Sequence, residues 1–229
     1  MPYRLATLEG AVDAPILDEI RELAKAHGIR VEDLPRQAMA QLVGHDQHQG
    51  VALETSDYPY VELHEILDLA EQRGEMVLML LLDLIQDVHN LGSLIRTSEA
   101  AGIHGLVIQE RRAAGITPAT INTSSGAAEH LLIAQVANLP QAMNALREAG
   151  VWLAGLEDLP GAQAYTEVDL CVPLALVVGS EADGLRRLVR ERCDWLMRMP
   201  MHGRINSLNA SVAGSIALYE VLRQRAMRH

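Results

Sequence analysis

From residue 76 onward the sequence alternates short, almost unbroken apolar runs with amphipathic stretches. The runs are Val77–Leu84, Gly105–Ile108, Leu132–Gln135, Trp152–Leu156, Ala175–Val178 and Trp195–Met199. Helical patterns lie at Gly92–Ala101, Ser125–His130, Leu139–Ala149, Asp183–Arg190 and Leu208–Arg225. A strand that is apolar throughout must bury both faces, which requires helices on both sides of a parallel sheet. The predicted fold class of this region is therefore α/β with a parallel sheet. Its longest apolar run, Met76–Leu82, is far short of the roughly 20 residues a membrane span needs. No membrane partner is expected.

Upstream the grammar differs. Tyr3–Leu8 reads as a strand, and Asp13-Ala-Pro-Ile opens a helix running to His27, ended by Gly28. A short strand at 29–34, a short helix Pro35–Leu42 and a strand at 50–54 follow, which together suggest a small α/β sandwich. Ser56-Asp-Tyr-Pro-Tyr reads as a joint, and Val61–Arg73 as an amphipathic helix stopped by Gly74. The predicted organisation is a small domain at 1–57, a linker and helix at 58–75, and the main α/β domain at 76–229.

Composition narrows the function. Two cysteines 22 positions apart, without CxxC spacing, exclude a disulfide scaffold and a Cys-based zinc site. His45-Asp-Gln-His48 reads as loop histidines, so no metal is expected. No secretory signal is visible, which points to the cytoplasm. With no Phe and only five Tyr and two Trp, base-stacking single-strand readers are disfavoured. A net charge of −11 argues against generic nucleic-acid affinity. Six arginines nevertheless fall within 186–204 (Arg186, Arg187, Arg190, Arg192, Arg198, Arg204) against Glu191 and Asp194. That region is either a local basic patch or a solvated helix face.

GxGxxG, Walker, HExxH and GxSxG patterns are all absent. Three polar, glycine-containing loops, each following a strand, stand in their place. The first contains Asp87-Val88-His89-Asn90-Leu91-Gly92 and reaches Arg96-Thr97. The second is Gly179-Ser180-Glu181-Ala182-Asp183-Gly184, and the third runs from Met199-Pro200-Met201 through Gly203 to Ser207-Leu208-Asn209. In an open parallel sheet, loops at the carboxyl ends of strands converge on the ligand. Each loop also has a purely structural reading. Asn90 or Ser207 could cap the helix that follows, and Ser180-x-x-Asp183 matches a capping box with Glu181 in the first turn.

Taken in order, the three loops resemble the sequence motifs of the SpoU (TrmH) family of RNA ribose 2′-O-methyltransferases, within the SPOUT superfamily. The resemblance covers about residues 76–229. The stretch Gly184-Leu-Arg-Arg-Leu-Val-Arg-Glu-Arg-Cys-Asp is most similar to the bacterial 23S rRNA guanosine-2′-O-methyltransferase branch, as are Ser125-Gly-Ala-Ala-Glu129 and His48-Gln-Gly-Val. Two positions depart from the pattern. Val88 stands where the family usually has Pro, and Ala182 replaces a common Gly. The resemblance implies an L30e-like RNA-binding domain over 1–57, shortened at its start, and a deep trefoil knot in the C-terminal domain. Topology rules alone would never predict a knot.

The resemblance further implies S-adenosylmethionine as cofactor and RNA as partner, ribosomal RNA first. By motif position, Gly179, Met199 and Leu208 fall on cofactor contacts, and Asn90, Arg96, Glu181, Ser207 and Asn209 on catalytic and substrate positions. The family account makes this arginine a general base. A guanidinium hardly loses its proton in a protein, so a phosphate-gripping Arg96 is the physically sounder role. A tRNA target, an antibiotic-resistance site in ribosomal RNA, and a non-catalytic RNA-binding assembly factor remain alternatives. A homodimer is expected through the last helix, which carries Leu208, Val212, Ser215, Ile216, Tyr219 and Leu222, with the small residues Ala210, Ala213, Gly214 and Ala217 permitting close helix approach. RNA affinity is expected from the 186–204 arginines, Arg186 and Arg187 foremost.

Overall fold

The computed structural model describes residues 1–229 except 11–14, 47, 182, 206 and 229. The chain divides into two compact units, Met1–Pro59 and Tyr60–His229. The opening of the first predicted helix, Asp13 and Ala14, lies outside the described residues, as does the departure at Ala182.

The first unit is a three-stranded sheet with two helices. β1 (Pro2–Leu8) lies between β2 (Arg30–Leu34), to which it is parallel, and β3 (Val51–Thr55), to which it is antiparallel. Leu5 and Ala6 of β1 are buried with Leu17 and Ala24 of α1 (Pro15–Ala26) and Met39 of α2 (Arg36–Val43). Arg4 spans the sheet from the central strand, bonding Glu32 at 3.1 Å and Glu54 at 3.2 Å.

The second unit is an all-parallel sheet with helices on both faces. In chain order its elements are α3 (Leu63–Arg73), β4 (Leu78–Asp83), α4 (Val88–Ala100), β5 (Gly105–Gln109), α5 (Pro118–Thr123), β6 (Leu132–Val136), α6 (Leu139–Glu148), β7 (Trp152–Leu156), β8 (Gln163–Ala164), β9 (Leu174–Gly179), α7 (Arg187–Arg190), β10 (Trp195–Arg198) and α8 (Ala210–Met227). The strands run β6-β5-β4-β9-β7-β10-β8, every pair parallel. All six residues of β4 are buried, as an apolar run at the centre of such a sheet requires. The helix of residues 63–73 belongs to this unit. Its Ile66 is fully buried with Met79, Leu81 and Val107, and Gly105 leaves the room: a Cβ there would lie 2.6 Å from Ile66 Cδ1.

Several elements differ from the sequence reading. The helix expected at 125–130 is instead α5, opened by Pro118 behind a Thr117 cap, followed by a single 3₁₀ turn at Ala127–Glu129. Strand β8 is too short to carry a periodic signal. The helix expected over 183–190 shrinks to α7, because Ser180 and Gly184 pair with each other ahead of it. Ser180 and Gly184 form an antiparallel bridge, and Gly184 N donates to Ser180 O at 2.9 Å. The Ser180 hydroxyl does accept from Asp183 N, but it closes this turn and begins no helix.

Among the described residues no helix is long and apolar enough to cross a membrane.

Candidate active site

β4 is the point where the strand order reverses. β5 continues the sheet on one side, while β9, much later in the chain, lies on the other. A crevice opens beyond the carboxyl ends of the strands at such a point. Asp83 and Gly179, the last residues of β4 and β9, are paired across the ladder, so loops one and two leave the sheet side by side.

Loop one is organised by Asp87. Its carboxylate caps α4, accepting from His89 N and Asn90 N at 3.2 Å each. Val88 therefore occupies the first helical position, which tolerates proline but does not need it. Because Asp87 is the cap, the Asn90 side chain is free for other work. Its amide donates to Glu181 Oε1 at 3.0 Å, and its Oδ1 accepts from Asn209 Nδ2 at 2.8 Å. Asn209 Nδ2 also donates to Glu181. Asn209 Oδ1 meanwhile caps α8, accepting from Ser211 N and Val212 N. Asn209 thus does both jobs, and Ser207 is not the cap. One residue from each loop meets in a closed triangle of Asn90, Glu181 and Asn209.

Behind the triangle lies a cavity of about 320 Å³ at the ends of β7, β9 and β10, within the size range of small-molecule sites. Its walls include Leu156, Val178, Met197, Met199, Met201 and Leu208, with Gly179, Glu181 and Ser207. Gly179 cannot be replaced at this packing, since a Cβ would sit 2.3 Å from the Gly184 carbonyl. Gly184 and Leu185 therefore lie directly over the end of β9. The structure brings Gly179, Met199, Leu208, Glu181 and Ser207 into one wall, and joins Glu181 to Asn90 and Asn209.

Arg96 is not part of that wall. It stands exposed on α4, its Nη1 donating to the Ser125 hydroxyl at 3.0 Å. Ser125 itself has φ +55°, unfavourable for a residue with a Cβ and a mark of local constraint.

Two carboxylates that the motifs do not include shape the site. Glu157, just past β7, lines the cavity, and its Oε2 accepts from Leu185 N at 2.7 Å. Asp83, fully buried, accepts from Arg186 N at 2.8 Å and Arg186 Nε at 2.7 Å. Successive backbone N–H groups at 185 and 186 are thus held from two sides, which fixes the loop carrying Glu181. Both carboxylates stand just beyond or at a strand's carboxyl end, the signal by which sequence reasoning could have found them. Cys193 behind this region is no nucleophile: burial, then the nearby Asp194, Asp83 and Glu157 carboxylates, push its thiol up to about 12.

Of the six arginines in 186–204, four have partners within the protein, while the side chains of Arg190 and the exposed Arg204 make no hydrogen bond or ion pair among the described residues. Arg186 also bonds Gln109 at 2.7 Å, Arg187 pairs with Glu191, Arg192 bonds Asn144, and Arg198 donates to the Ala162 carbonyl. The expectation that Arg186 serves RNA is corrected by this geometry, because its guanidinium neutralises a buried carboxylate.

The residues at the cavity suit a sulfonium cofactor. Methionine and leucine side chains offer apolar walls, the glycine-bounded strand end exposes backbone donors and acceptors, and nearby carboxylates suit positive charge. Among the described residues no group of three or more His, Cys, Asp or Glu is placed to hold a metal.

A family model described as the SpoU rRNA Methylase family matches residues 77–219, and one described as RNA 2′-O ribose methyltransferase substrate binding matches residues 6–61. A 23S rRNA (guanosine-2′-O-)-methyltransferase of Xylella fastidiosa is 41% identical over 95% of this chain and 87% of its own length. The solved SpoU methyltransferase AviRb of Streptomyces viridochromogenes, in complex with AdoMet, is 27% identical with a TM-score of 0.81, covering 99% of this chain and 84% of that one. An AdoMet-bound rRNA methyltransferase of Sinorhizobium meliloti is 26% identical with a TM-score of 0.82, covering 97% and 80% respectively.

Proposed function

The chain belongs to the SpoU rRNA methylase family, and from that premise we propose that it transfers a methyl group from S-adenosylmethionine to a ribose 2′-hydroxyl of 23S ribosomal RNA, at a guanosine, in the cytoplasm. The observation that carries this reading is the Asn90–Glu181–Asn209 triangle standing at a cavity walled by Gly179, Met199 and Leu208.

S-adenosylmethionine supplies a methyl group on a positively charged sulfur, open to displacement by a hydroxyl oxygen. The residues of the chain hold and orient. Backbone groups at Gly179, Met199 and Leu208 bind the cofactor. Asn90, Glu181 and Asn209 fix the geometry between the loops, and Ser207 offers a hydroxyl to the ribose. Arg96 grips the phosphate beside the target, which aligns the 2′-oxygen; the proton leaves to water. Positioning of this kind can supply several kcal/mol of a barrier without a strong base. In this reading the loops after β9 and β10 are the knotted part of the chain. Residues 6–61 present the RNA.

The test is to map methylated riboses in 23S ribosomal RNA from a strain lacking the gene and from its complemented parent. One guanosine should lose its 2′-O-methyl group and regain it on complementation. An unchanged methylation map would overturn the reading.

Glu157 yields a prediction about the cofactor. Glu157→Ala removes the acceptor for Leu185 N and should weaken S-adenosylmethionine binding about tenfold, near 1.4 kcal/mol, just below the roughly 1.5–3 kcal/mol that a hydrogen bond to a charged group contributes. Glu157→Gln keeps an acceptor oxygen and should recover most of it. Calorimetric titration checks this, and equal affinity in Glu157→Ala and wild type would remove Glu157 from the site's support.

The dimer belongs to this proposal too. Small residues of α8 serve the protein's own packing: a Cβ on Gly214 would lie 2.7 Å from Leu94 Cδ2, and Ala210 and Ala217 are buried. On α8 the stripe Val212, Ile216 and Tyr219, at helical spacing, remains exposed, with Tyr219 at 53%, and Leu208 just before the helix is also exposed. Two copies meeting through it form an isologous interface. Val212→Arg with Ile216→Glu should shift the light-scattering mass from dimer to monomer at micromolar concentration, and a monomeric wild type would refute the dimer.

A further inference from the structure

Arg111 and Arg112 follow β5, both exposed, and among the described residues neither makes a hydrogen bond or ion pair. Their loop is nonetheless firmly held. Glu110 N donates to Val136 O at 3.0 Å, Ala114 N to Ile85 O at 2.8 Å, and Ile116 N to the Tyr60 hydroxyl at 2.9 Å. The Gly115 carbonyl accepts from Thr120 Oγ1 at 2.7 Å. Arg112 adopts φ +59°, a conformation that a residue with a Cβ keeps only where its surroundings impose it. Leu84 and Ser125, the latter holding Arg96, share that conformation.

The placement gives the pair a direction. β5 is parallel to β4, so its loop leaves the sheet at the same edge as loop one, and the Ala114–Ile85 bond ties the two together. The cofactor cavity lies at β9, β7 and β10, on the other side of β4. Along the carboxyl edge the order is therefore arginine pair, loop one with Asn90, then cavity. A chain of net charge −11, in which Arg186, Arg192 and Arg198 are bonded to internal partners, needs free cations where a polyanion approaches. Glu110 is the one acidic neighbour in the exposed segment 110–112. Residues 105–130 hold no Phe, Trp or Tyr, and two guanidinium forks side by side suit phosphates.

We propose that Arg111 and Arg112 bind backbone phosphates of the RNA substrate on the side of the target nucleotide away from the cofactor. The proposal rests on the reading of the chain as an RNA methyltransferase. RNA then crosses the sheet edge from β5 over loop one, with its reactive ribose delivered at β4.

Filter binding of protein-free 23S ribosomal RNA across a salt series tests this, with the full-length chain as wild type, Arg111→Ala/Arg112→Ala, Arg111→Lys/Arg112→Lys, and Arg73→Ala. Arg73 is an exposed cation at the end of α3, near His104 and so toward the amino edge of β5. Losing two phosphate contacts should lower the slope of log affinity against log salt by about 1.4 to 1.8, and affinity by roughly tenfold at low salt. The lysine variant should restore most of both, and Arg73→Ala should match wild type. S-adenosylmethionine affinity should be unchanged throughout, which confirms folding. If the alanine pair binds RNA as wild type does, or Arg73→Ala loses as much, the proposal is overturned. If wild type itself does not bind the RNA, the methyltransferase reading fails along with it.

Discussion

Arg96→Ala is expected to fold, to bind S-adenosylmethionine with unchanged affinity, and to lose methyl transfer by at least about 100-fold, on the order of 2.7 kcal/mol. The structural reason is the company Arg96 keeps. Its guanidinium is exposed and bonded to one neutral hydroxyl, that of Ser125, at 3.0 Å. A guanidinium has five N–H donors, so most stay available, and no carboxylate cancels the charge. Truncation strands no buried group, and the stability change should stay within about 0.5 kcal/mol. Arg96→Lys should recover little, because a point charge does not reproduce the planar fork. Ser125→Ala should fall between wild type and Arg96→Ala, since it frees the fork without removing it. Single-turnover methylation with saturating RNA and cofactor isolates the step. Near-wild-type rates for Arg96→Ala would move this residue out of the active site.

Much of this arrangement could be read from sequence because apolar strands and loop chemistry are local. Val77–Leu84, Trp152–Leu156 and Trp195–Met199 announce a doubly covered sheet by composition alone, and the structure places β4, β7 and β10 there. The motif residues were visible one loop at a time. What could not be read was which side chain does which job. Asn90 and Ser207 both satisfy the chemistry of a helix cap, yet Asp87 and Asn209 are the caps. That exchange is what frees Asn90 to reach Glu181, ninety-one positions away in sequence. The Ser180–Gly184 bridge was hidden for a similar reason: the Ser180 hydroxyl accepts from Asp183 N alike in a capping box and in this turn, and the missing Cβ of Gly179 is what lets Gly184 come close. Long-range charge pairing leaves no local trace whatever. Six arginines close together look like a patch until Asp83, 103 positions upstream of Arg186, claims one of them.

That pair carries the second large effect. Arg186→Ala is expected to destabilise the protein by about 2–3 kcal/mol and to weaken S-adenosylmethionine binding. Asp83 is fully buried, and its carboxylate accepts from Arg186 Nε at 2.7 Å, Arg186 N at 2.8 Å and Gln109 Nε2 at 3.3 Å. Removing one partner of a buried pair typically costs about 3–5 kcal/mol, because the other charge is left uncompensated. The Arg186 side chain is 41% exposed, so water can reach the vacated space and the cost should lie below that range. Even so, it is a large fraction of the roughly 5–15 kcal/mol that holds a domain together. The effect on the cofactor follows from position, since Arg186 N and Leu185 N anchor the end of the loop that presents Glu181. Asp83→Asn combined with Arg186→Ala should be less damaging than Arg186→Ala alone: the amide oxygen still accepts from residue 186, and no buried charge remains. Arg187→Ala is the contrast. Its bond to Glu191 is 3.4 Å long between two exposed side chains, worth under about 0.5 kcal/mol. Urea denaturation of the four proteins decides the matter. Equal midpoints for Arg186→Ala and Arg187→Ala would show that Asp83 does not depend on its arginine, whereas the expected ordering makes any RNA-binding loss in an Arg186 variant a consequence of a loosened loop.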